Sequence, residues 1–465
     1  QRCCRCMSIQ AWCRRCLARR GNGQWAALLI GVALVAVACA SSSPAAETAA
    51  SGQTPTRSEA PMPTAPPTAA PTPTPTATPV PTATARADTG PVWGTVVAAT
   101  DGAPLAGATV VAGSATTQTD VDGEFRLEDV APGSTISVQR PAWLPSTTTA
   151  SAGEPLRVAL DPRIVRGLRV AAPVAADSAA FERLLRLADG STVNALVFDT
   201  KDENDHVLYE TTVPLANELD AVDPVYDPAA LLALARQHSL YTITRIVTFE
   251  DPVWLEGVPE ARLAGSWADP TAASNWEYPL ALAVEACALG FDEVQFDYVR
   301  YPAGEDASRA RDDVPATEGA RTEVIAGFLD EARRRLHPAG CAVSAAIFGI
   351  VMSSETDERL GQTPETASAV VDAISPMLYP SHYSPGWLGF DDPNEHPGPV
   401  VADALDDGAG RLAPGGLVRP WLQAFFYDRQ QVRAQIAEAE ARGVGWMLWN
   451  IYGDYRRGWL PAIEG

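Results

Sequence analysis

Carboxylates occupy a stretch of the chain that otherwise has the character of a buried strand. Residues 290–302 have the sequence GFDEVQFDYVRYP. Successive side chains of a strand point to opposite faces, so Phe296 would lie on one face and Gln295 and Asp297 on the other. Soluble domains rarely bury a carboxylate that has neither a partner nor a chemical task. Asp297, near the predicted end of this strand, is therefore the first candidate for acid–base or nucleophilic chemistry.

This strand belongs to a series of strand-like segments that alternate with helical ones. The last part of the chain, about 300 residues from position 163 onward, contains eight such segments. Eight strand–helix units in this length match the size and period of a (β/α)8 TIM barrel, an α/β fold. An open doubly wound sheet is the alternative, but no G-x-G-x-x-G motif follows the first segment. The predicted strands are 167–171, 195–199, 241–249, 293–299, 342–348, 373–379, 419–425 and 445–449.

The carboxyl ends of the predicted strands carry carboxylates and aromatic rings, and these ends are where TIM barrels place their catalytic residues. Paired carboxylates cleave glycosidic bonds, and aromatic rings offer apolar faces on which sugars stack. We predict Asp297 and Asp199 as the catalytic residues. A structural ion pair of Asp297 with Arg245 or Arg300 is the alternative. The predicted substrate-binding residues are Lys201, Arg245, Arg300, Tyr379, His382, Trp421, Gln423, Trp449 and Asn450.

Other polar residues of this region are expected to have structural roles. Glu293 lies earlier in its strand and would face the barrel interior, where we expect it to be ion-paired. Asp202, Asp251 and Asp428 are expected to be solvated loop charges. The chain has five His residues, and no two of them have the spacing of helical metal ligands. We therefore expect no metal site and no cofactor.

The first 39 residues have the pattern of an export signal. Basic residues precede an uncharged apolar run, Trp25 to Ala38, which is short for a bilayer span. The run ends in AVAC, which resembles a bacterial lipobox and implies lipidation of Cys39. An ordinary secretory signal or an uncleaved anchor is the alternative, and Met7 is an alternative start. We expect an exported, membrane-anchored lipoprotein at the cell surface or in the periplasm, or else a secreted protein.

The next segment, residues 40–88, consists mainly of Ser, Thr, Ala and Pro. Such a composition cannot bury a core, so we predict a disordered linker. Six of the eight cysteines lie before residue 40, which leaves only Cys287 and Cys341 in the globular part. This distribution implies no disulfide framework, and we expect both residues to be buried free thiols.

Residues 89–162 contain short strand-like runs separated by turns, a pattern typical of a small β-sandwich. The string GTVVAATDGAPLAGATVVAGSATTQTDVDGEFRLEDVAPG closely resembles the carboxypeptidase regulatory-like domain. That resemblance implies a non-catalytic spacer or binding module. Asp120 and Asp122 are expected to form turns, with Ca²⁺ ligation as the alternative. The predicted domains are thus 1–39, 40–88, 89–162 and 163–465.

The charge balance limits the class of partner. Asp and Glu number 57 against 35 Lys and Arg, which gives a formal net charge of −22. Binding of nucleic acid requires basic patches that neutralise phosphates, so a nucleic-acid partner is not expected. The expected partners are a carbohydrate and, through the lipid on Cys39, a membrane.

Four motifs of the barrel region resemble a bacterial family of glycoside hydrolases that was first catalogued as a domain of unknown function. The four motifs are GFDEVQFDYVRYP, DTKDENDHVLYETTVPLA, ISPMLYPSHY and RPWLQAFF. The resemblance runs from about residue 163 to the end. It implies a TIM barrel, glycosidase activity and Asp297 as the principal catalytic residue.

The chain departs from that family's pattern at two positions. The resemblance leads us to expect an Asp at the place of Ala346 and an acidic residue at the place of Ala424. If either carboxylate is the partner of Asp297, the protein is impaired or has moved the role elsewhere. The leading hypothesis is a glycoside hydrolase acting on a polysaccharide of the cell wall or environment. The alternative is a catalytically impaired glycan-binding lipoprotein; a metal-dependent deacetylase is disfavoured by the His spacing.

Overall fold

The computed structural model describes residues 89–150, 153–310 and 313–463. The predicted signal segment, the lipidation site Cys39 and the predicted linker lie outside the described residues. Within those three ranges, no helix combines the length and the apolar character needed to cross a membrane.

The region that follows residue 88 folds into two small sheets that pack against each other. One sheet has the order β4-β1-β7 and the other β3-β2-β5-β6. Alternate apolar residues of both sheets, such as Val96, Val110 and Ile136, are fully buried between them. The predicted sandwich is therefore confirmed. Its strands are β1 (Gly90–Ala98), β2 (Thr109–Ala112), β3 (Ala115–Gln118), β4 (Glu124–Val130), β5 (Thr135–Gln139), β6 (Ser146–Thr149) and β7 (Leu156–Leu160).

Eight parallel strands of the remaining chain close into a barrel, because β14 pairs with β15 as well as with β13. All eight predicted strands form. The fold is thus the predicted (β/α)8 TIM barrel preceded by a β-sandwich. The barrel strands are β8 (Arg166–Arg169), β9 (Ala195–Lys201), β10 (Tyr241–Val247), β13 (Glu293–Asp297), β14 (Ala342–Phe348), β15 (Ala373–Leu378), β17 (Trp421–Gln423) and β18 (Trp446–Trp449). The short strands β11 (Arg262–Ala264), β12 (Trp267–Ala268) and β16 (Leu417–Val418) complete the set in the described residues.

The helices between the strands begin at residues that suit helix starts. Thr317 and Asp177, for example, accept a hydrogen bond from a backbone N–H of the first turn. Asp428 is exposed and precedes its helix, as expected of a solvated loop charge, and it also forms a capping box with Gln431. The helices are α1 (Ala172–Ala175), α2 (Ser178–Asp189), α3 (Pro214–Glu218), α4 (Pro228–Gln237), α5 (Pro252–Gly257), α6 (Glu277–Leu289), α7 (Glu305–Arg309), α8 (Glu318–Leu336), α9 (Pro364–Val370), α10 (Pro397–Ala409) and α11 (Arg429–Ala441).

Polar side chains fill the lower part of the barrel interior. Glu293 accepts hydrogen bonds from Arg419 at 2.8 and 2.9 Å and from Ser344 at 2.5 Å. Gln295, one layer higher, accepts a hydrogen bond from Trp421 Nε1 at 2.8 Å. The expected ion pairing of Glu293 is therefore confirmed. These buried groups satisfy one another, so this end of the barrel is packed and the chemistry belongs to the other end.

The sandwich packs against the amino-terminal ends of the barrel strands. Arg140 of the sandwich lies 3.5 Å from Asp372, which directly precedes β15. The guanidinium of Arg163 lies 4.8 Å from the ring centre of Tyr241, the first residue of β10. Ala342, the first residue of β14, belongs to the apolar core of the sandwich. The sandwich therefore does not cover the carboxyl ends of the strands.

Cys287 and Cys341 form a disulfide bond, so the expectation of free thiols is wrong. Cys287 lies in α6 and Cys341 directly precedes β14, and their Cα atoms are 6.0 Å apart. That distance lies within the range that a disulfide requires. The sequence signal was weak because the residues are separated by 54 positions, and they approach each other only once β13 and β14 pair.

Replacing both cysteines by serine is expected to destabilise the protein by about 4 kcal/mol, the chain-entropy value for a loop of this length. The bond restricts the unfolded chain, so its removal favours unfolding. Differential scanning calorimetry of the oxidised wild type, the reduced wild type and the Cys287→Ser/Cys341→Ser variant measures the effect. Reduction should lower the wild-type melting temperature and leave that of the double variant unchanged; a wild type insensitive to reductant would contradict the prediction.

Candidate active site

One guanidinium group joins three carboxylates at the open end of the barrel. Arg245 Nε donates to Asp297 Oδ2 at 2.8 Å, Nη1 to Asp199 Oδ1 at 3.0 Å and Nη2 to Glu203 Oε1 at 2.7 Å. Arg169 Nη2 donates to the other oxygen of Asp199 at 2.6 Å. We call these five residues the Arg245 cluster. It contains both predicted catalytic residues, Asp297 and Asp199. Asp297 also forms the ion pair with Arg245 that we gave as the alternative to a catalytic role.

The register of the parallel strands explains the convergence. Arg245 of β10 lies opposite Asp199 of β9, and Val247 lies opposite Asp297 of β13. Inward positions recur every second residue, so Arg245 and Asp297 both point into the barrel at neighbouring levels. Arg169 is the last residue of β8, the strand on the other side of β9.

The electrostatics of the Arg245 cluster shift the pKa of Glu203 and of Arg169. Burial raises the pKa of Glu203, but Arg245 and Arg169 outweigh burial, so the net pKa is lowered. Burial lowers the pKa of Arg169, whereas Asp199 and Glu203 raise it, and the net pKa is raised. The charges of Glu203 and Arg169 therefore stabilise each other.

Asp297 combines an anchored position with residual access to solvent. Its Oδ1 accepts a hydrogen bond from its neighbour's backbone N–H, Tyr298 N, at 2.7 Å, and the residue is 5% exposed. Tyr298 has a φ of 53°, in the left-handed region that non-glycine residues seldom adopt. Such strain concentrates at functional sites. The kink ends β13 and turns the Tyr298 ring into a cleft beside the cluster.

That cleft has a volume of about 110 Å³, smaller than the roughly 300–1,000 Å³ of typical ligand pockets. Burial raises the pKa of Asp205 to about 7, assisted by the charges of Asp251 and Glu250 and opposed by Lys201. The pKa of Glu250 is raised, chiefly by burial. The cleft thus places two carboxyl groups of raised pKa beside Glu203, whose pKa is lowered. Its lining residues are Glu203, Asp205, Val247, Glu250, Pro252, Ser266 and Tyr298.

Three acidic residues of the site were missed by sequence reasoning, Glu203, Asp205 and Glu250. The first two follow β9 within a tight turn and the third follows β10. Their positions just beyond strand ends were the available signal, because barrel loops carry functional groups as often as the strands do.

Lys201 lies away from the Arg245 cluster, although it was predicted to contact substrate. Its Nζ donates to Val247 O at 2.9 Å and lies 2.8 Å from Asp251 Oδ2, and the side chain is fully buried. The cause is an irregularity in the β9–β10 pairing, where Asp199 lies opposite Arg245 but Lys201 lies opposite Ile246. The extra residue turns Lys201 to the outer face of the strand.

Asp251, predicted to be a solvated charge, is fully buried. Asp202, with the same prediction, is also buried, so both predictions are wrong.

Arg300 is buried beside the cleft. Its guanidinium carbon lies 4.4 Å from the ring centre of Trp267 and 4.3 Å from that of Phe348. Nη1 donates to Tyr301 O at 3.0 Å. Its charge lowers the pKa of Glu250, which places it within electrostatic reach of the cleft. A direct contact with substrate remains a prediction.

Trp449 packs against both guanidinium groups of the Arg245 cluster. The guanidinium carbon of Arg169 lies 4.1 Å, and that of Arg245 4.8 Å, from its ring centre. Cation–π contacts of this length fix the two arginines in place. The predicted role of Trp449 as a sugar platform is compatible with this packing and remains a prediction.

An aromatic group lies at the mouth, next to the cluster. The ring of Tyr379 is buried, and its centre lies 5.2 Å from that of His382 and 5.5 Å from that of Phe425. His382 itself is exposed. The neighbouring Phe426 is 70% exposed and has a φ of 60°. An exposed, strained aromatic residue at a strand end is a better platform for a sugar than a buried one. Phe426 was missed by the sequence reasoning.

The other predicted binding residues have structural partners. Trp421 is fully buried and bonds Gln295 inside the barrel. Gln423 is buried and its Oε1 accepts a hydrogen bond from Ser381 N at 3.2 Å. Asn450 donates to Ala424 O at 2.8 Å, and its Oδ1 accepts from Tyr452 N at 3.0 Å within a turn. Contact of these three residues with substrate remains a prediction, and their present partners favour roles in shaping the mouth.

Alanine occupies the two positions, 346 and 424, at which the resemblance leads us to expect a carboxylate. Ala346 and Ala424 are each 1% exposed. Ala346 belongs to the same interior apolar cluster as Tyr379 and Trp449. These two positions therefore supply no proton donor. In the ranges that the structure describes, no group of three or more His, Cys, Asp or Glu residues is suited to hold a metal ion.

Together, the closed barrel and the carboxylates and aromatic rings at its open end define a TIM-barrel protein of the glycoside hydrolase class. The family model described as "Putative glycosyl hydrolase domain" matches residues 167–455, and the chain belongs to this family of glycosidases. The model of the carboxypeptidase regulatory-like domain matches residues 91–162. The search of curated proteins returned no match.

Three solved structures are similar to this chain. A hypothetical protein from Ruminiclostridium thermocellum has 31% identity, with coverage of 38% of this chain and 96% of that one and a TM-score of 0.34. The PgaB (BpsB) glycoside hydrolase domain from Bordetella bronchiseptica has 12% identity, coverage of 62% and 94%, and a TM-score of 0.45. A class V chitinase from Pseudomonas fluorescens has 12% identity, coverage of 63% and 97%, and a TM-score of 0.43.

Proposed function

We propose that the protein hydrolyses glycosidic bonds in a polysaccharide of the cell wall or environment at the open end of its barrel, with Asp297 as nucleophile or base. Family membership supports glycan hydrolysis in general. The single observation that carries the proposal is the Arg245 cluster, because it fixes a carboxyl group by hydrogen bonds at the end of β13, beside a mouth lined by aromatic residues.

The role of Asp297 follows from its hydrogen bonds. Oδ2 lies 2.8 Å from both Nε and Nη2 of Arg245, and Oδ1 accepts from a backbone N–H, which orients the group. Oδ1 retains lone-pair capacity for a further partner. A carboxylate held in this way can attack an anomeric carbon or accept a proton from an attacking water.

Asp199 is less suited to the role of the partner acid that the sequence suggested. Both of its oxygens already accept hydrogen bonds from guanidinium groups, at 2.6 Å from Arg169 and at 3.0 Å from Arg245. A proton on Asp199 would have to displace one of these bonds. We therefore assign Asp199 the task of positioning the two arginines.

A glycan-binding protein without hydrolytic activity is the second candidate function. Ala346 and Ala424 favour it, because they leave β14 and β17 without the expected carboxylates. The exposed Phe426 would serve a binding protein as well as an enzyme.

The two functions are separated by incubating the purified full-length protein with chitin, cellulose, xylan and isolated cell-wall glycan. The assay measures both new reducing ends and the protein bound to each polymer. Release of reducing ends from one polymer is the expected result. Saturable binding to one polymer with no release from any would favour the binding protein, and neither binding nor release would contradict both.

We also propose that the protein acts outside the cytoplasm, anchored through Cys39. The disulfide supports this location, because such bonds persist mainly in oxidising compartments. The position of the sandwich supports an outward-facing mouth, since it joins the preceding chain to the end of the barrel opposite the Arg245 cluster. Metabolic labelling with palmitate, compared between the wild type and Cys39→Ser, tests the anchor.

A further inference from the structure

We propose that Glu250 is the proton donor that partners Asp297, an inference that rests on the proposed function and deepens it. Glu250 follows β10 and lies in the cleft beside the Arg245 cluster. In this proposal the proton donor follows β10. It does not lie at the positions of Ala346 and Ala424, where the resemblance led us to expect a carboxylate.

The backbone pairing places Glu250 beyond Asp297 along the barrel axis. Val247 lies opposite Asp297, and Thr248 N donates to Asp297 O at 2.9 Å. Phe249 N then donates to Tyr298 O at 3.3 Å. Glu250 is the next residue, so its backbone lies three positions beyond the level of Asp297, toward the open end. Asp297 is near enough for its charge to raise the pKa of Glu250.

The cleft itself connects the two groups. Glu203 lines the cleft with Glu250, and Glu203 Oε1 accepts a hydrogen bond from Arg245 Nη2 at 2.7 Å. The same nitrogen lies 2.8 Å from Asp297 Oδ2, so the two oxygens are within about 5.5 Å of each other. A sugar in the cleft would therefore reach the Arg245 cluster from the side on which Glu250 lies.

Glu250 and Asp205 are the two carboxyl groups of the cleft whose pKa is raised. Burial is the main cause of the raised pKa of Glu250; Asp306 and Asp297 add to it, and Arg300 opposes it. Ser266 Oγ lies 3.4 Å from Glu250 Oε1. The other titratable groups facing the cleft are Glu203, Asp205 and Tyr298. Glu203 differs because Arg245 and Arg169 lower its pKa.

In the proposed step the glycosidic C–O bond breaks and its electron pair stays on the oxygen. That oxygen takes the proton of Glu250, so the leaving sugar departs as a neutral alcohol. The anomeric carbon accepts an electron pair from Asp297, or from a water whose proton passes to Asp297. If Asp297 is the nucleophile, a water then attacks the anomeric carbon, gives a proton to Glu250 and displaces the Asp297 carboxylate. If Asp297 is the base, it releases its proton to solvent and Glu250 takes one up, so both groups return to their starting state.

The test compares Glu250→Gln with the wild type on two aryl glycosides of the sugar that the wild type hydrolyses, with 4-nitrophenol and 2,4-dinitrophenol as leaving groups. Loss of a proton donor lowers kcat/KM by about 10²–10⁴-fold for a leaving group that needs protonation. The 2,4-dinitrophenolate leaves without a proton, so we expect that substrate to lose less than about tenfold, a split that general acid catalysis predicts. Glu256→Gln, an exposed neighbour, is the matched control and should behave like the wild type.

Asp205→Asn is measured in parallel because Asp205 shares the cleft. If Asp205→Asn shows the leaving-group split and Glu250→Gln does not, Asp205 is the donor and our assignment is overturned. Equal losses on both substrates in Glu250→Gln would indicate a structural role and would also overturn it. A wild type that cleaves no glycan would instead overturn the proposed function itself.

Discussion

Replacement of Arg245 by Met is expected to lower the free energy of unfolding by about 3–5 kcal/mol, the cost of removing one partner from a buried ion pair. Arg245 is 1% exposed and bonds Asp199, Glu203 and Asp297. Without it, Arg169 alone opposes three buried negative charges. Urea unfolding followed by tryptophan fluorescence measures the loss.

Arg442→Met is the matched control for this experiment. Arg442 also bonds two carboxylates, Asp406 and Glu438, but at the surface, where each such pair contributes about 0–1 kcal/mol. If Arg245→Met were as stable as Arg442→Met, the Arg245 cluster could not be the tightly coupled buried unit described above. Glu203→Gln combined with Arg245→Met should recover part of the lost stability, since it removes one unpaired charge.

Replacement of Asp297 by Asn is expected to lower kcat by about 10⁴-fold or more, the scale of losing a group that acts directly on the reacting bond. The amide keeps the shape of the side chain but cannot serve as nucleophile or base. Arg245 retains Asp199 and Glu203 as partners, so the variant should remain folded. Steady-state kinetics on the cleaved glycan and circular dichroism measure the two properties.

Asp223→Asn, at an exposed position, is the control for the charge change. Its kinetics should match those of the wild type. A folded Asp297→Asn variant with wild-type kcat would leave Asp297 with a structural role only, as in the ion-pair alternative weighed from the sequence.

The barrel was predictable because its signal is repeated along the chain. Each strand, such as β14 and β18, is a short apolar run whose buried residues are fixed by local sequence, and closure follows from the count of eight. The position of Asp297 was predictable for the same reason. One strand of the sandwich, β6, was missed because its sequence STTT carries no buried apolar residue.

The partners of Asp297 were harder to predict, since they depend on how neighbouring strands align. One irregularity in the β9–β10 pairing turns Lys201 away from the site and buries it with Asp251. Glu250 lies in a loop whose course no periodicity specifies. The Cys287–Cys341 disulfide likewise depends on contacts between distant segments. Sequence patterns fix the alternation within a strand, whereas registers between strands are set by packing.

The most direct test of the account is a crystal structure of Asp297→Asn with an oligosaccharide that the wild type cleaves. The account predicts a sugar ring at the mouth of the barrel, with its anomeric carbon beside the side chain at position 297. The glycosidic oxygen should lie within hydrogen-bonding distance of Glu250, about 2.6–3.2 Å. An oligosaccharide bound away from the Arg245 cluster, with its scissile bond remote from position 297, would contradict the account.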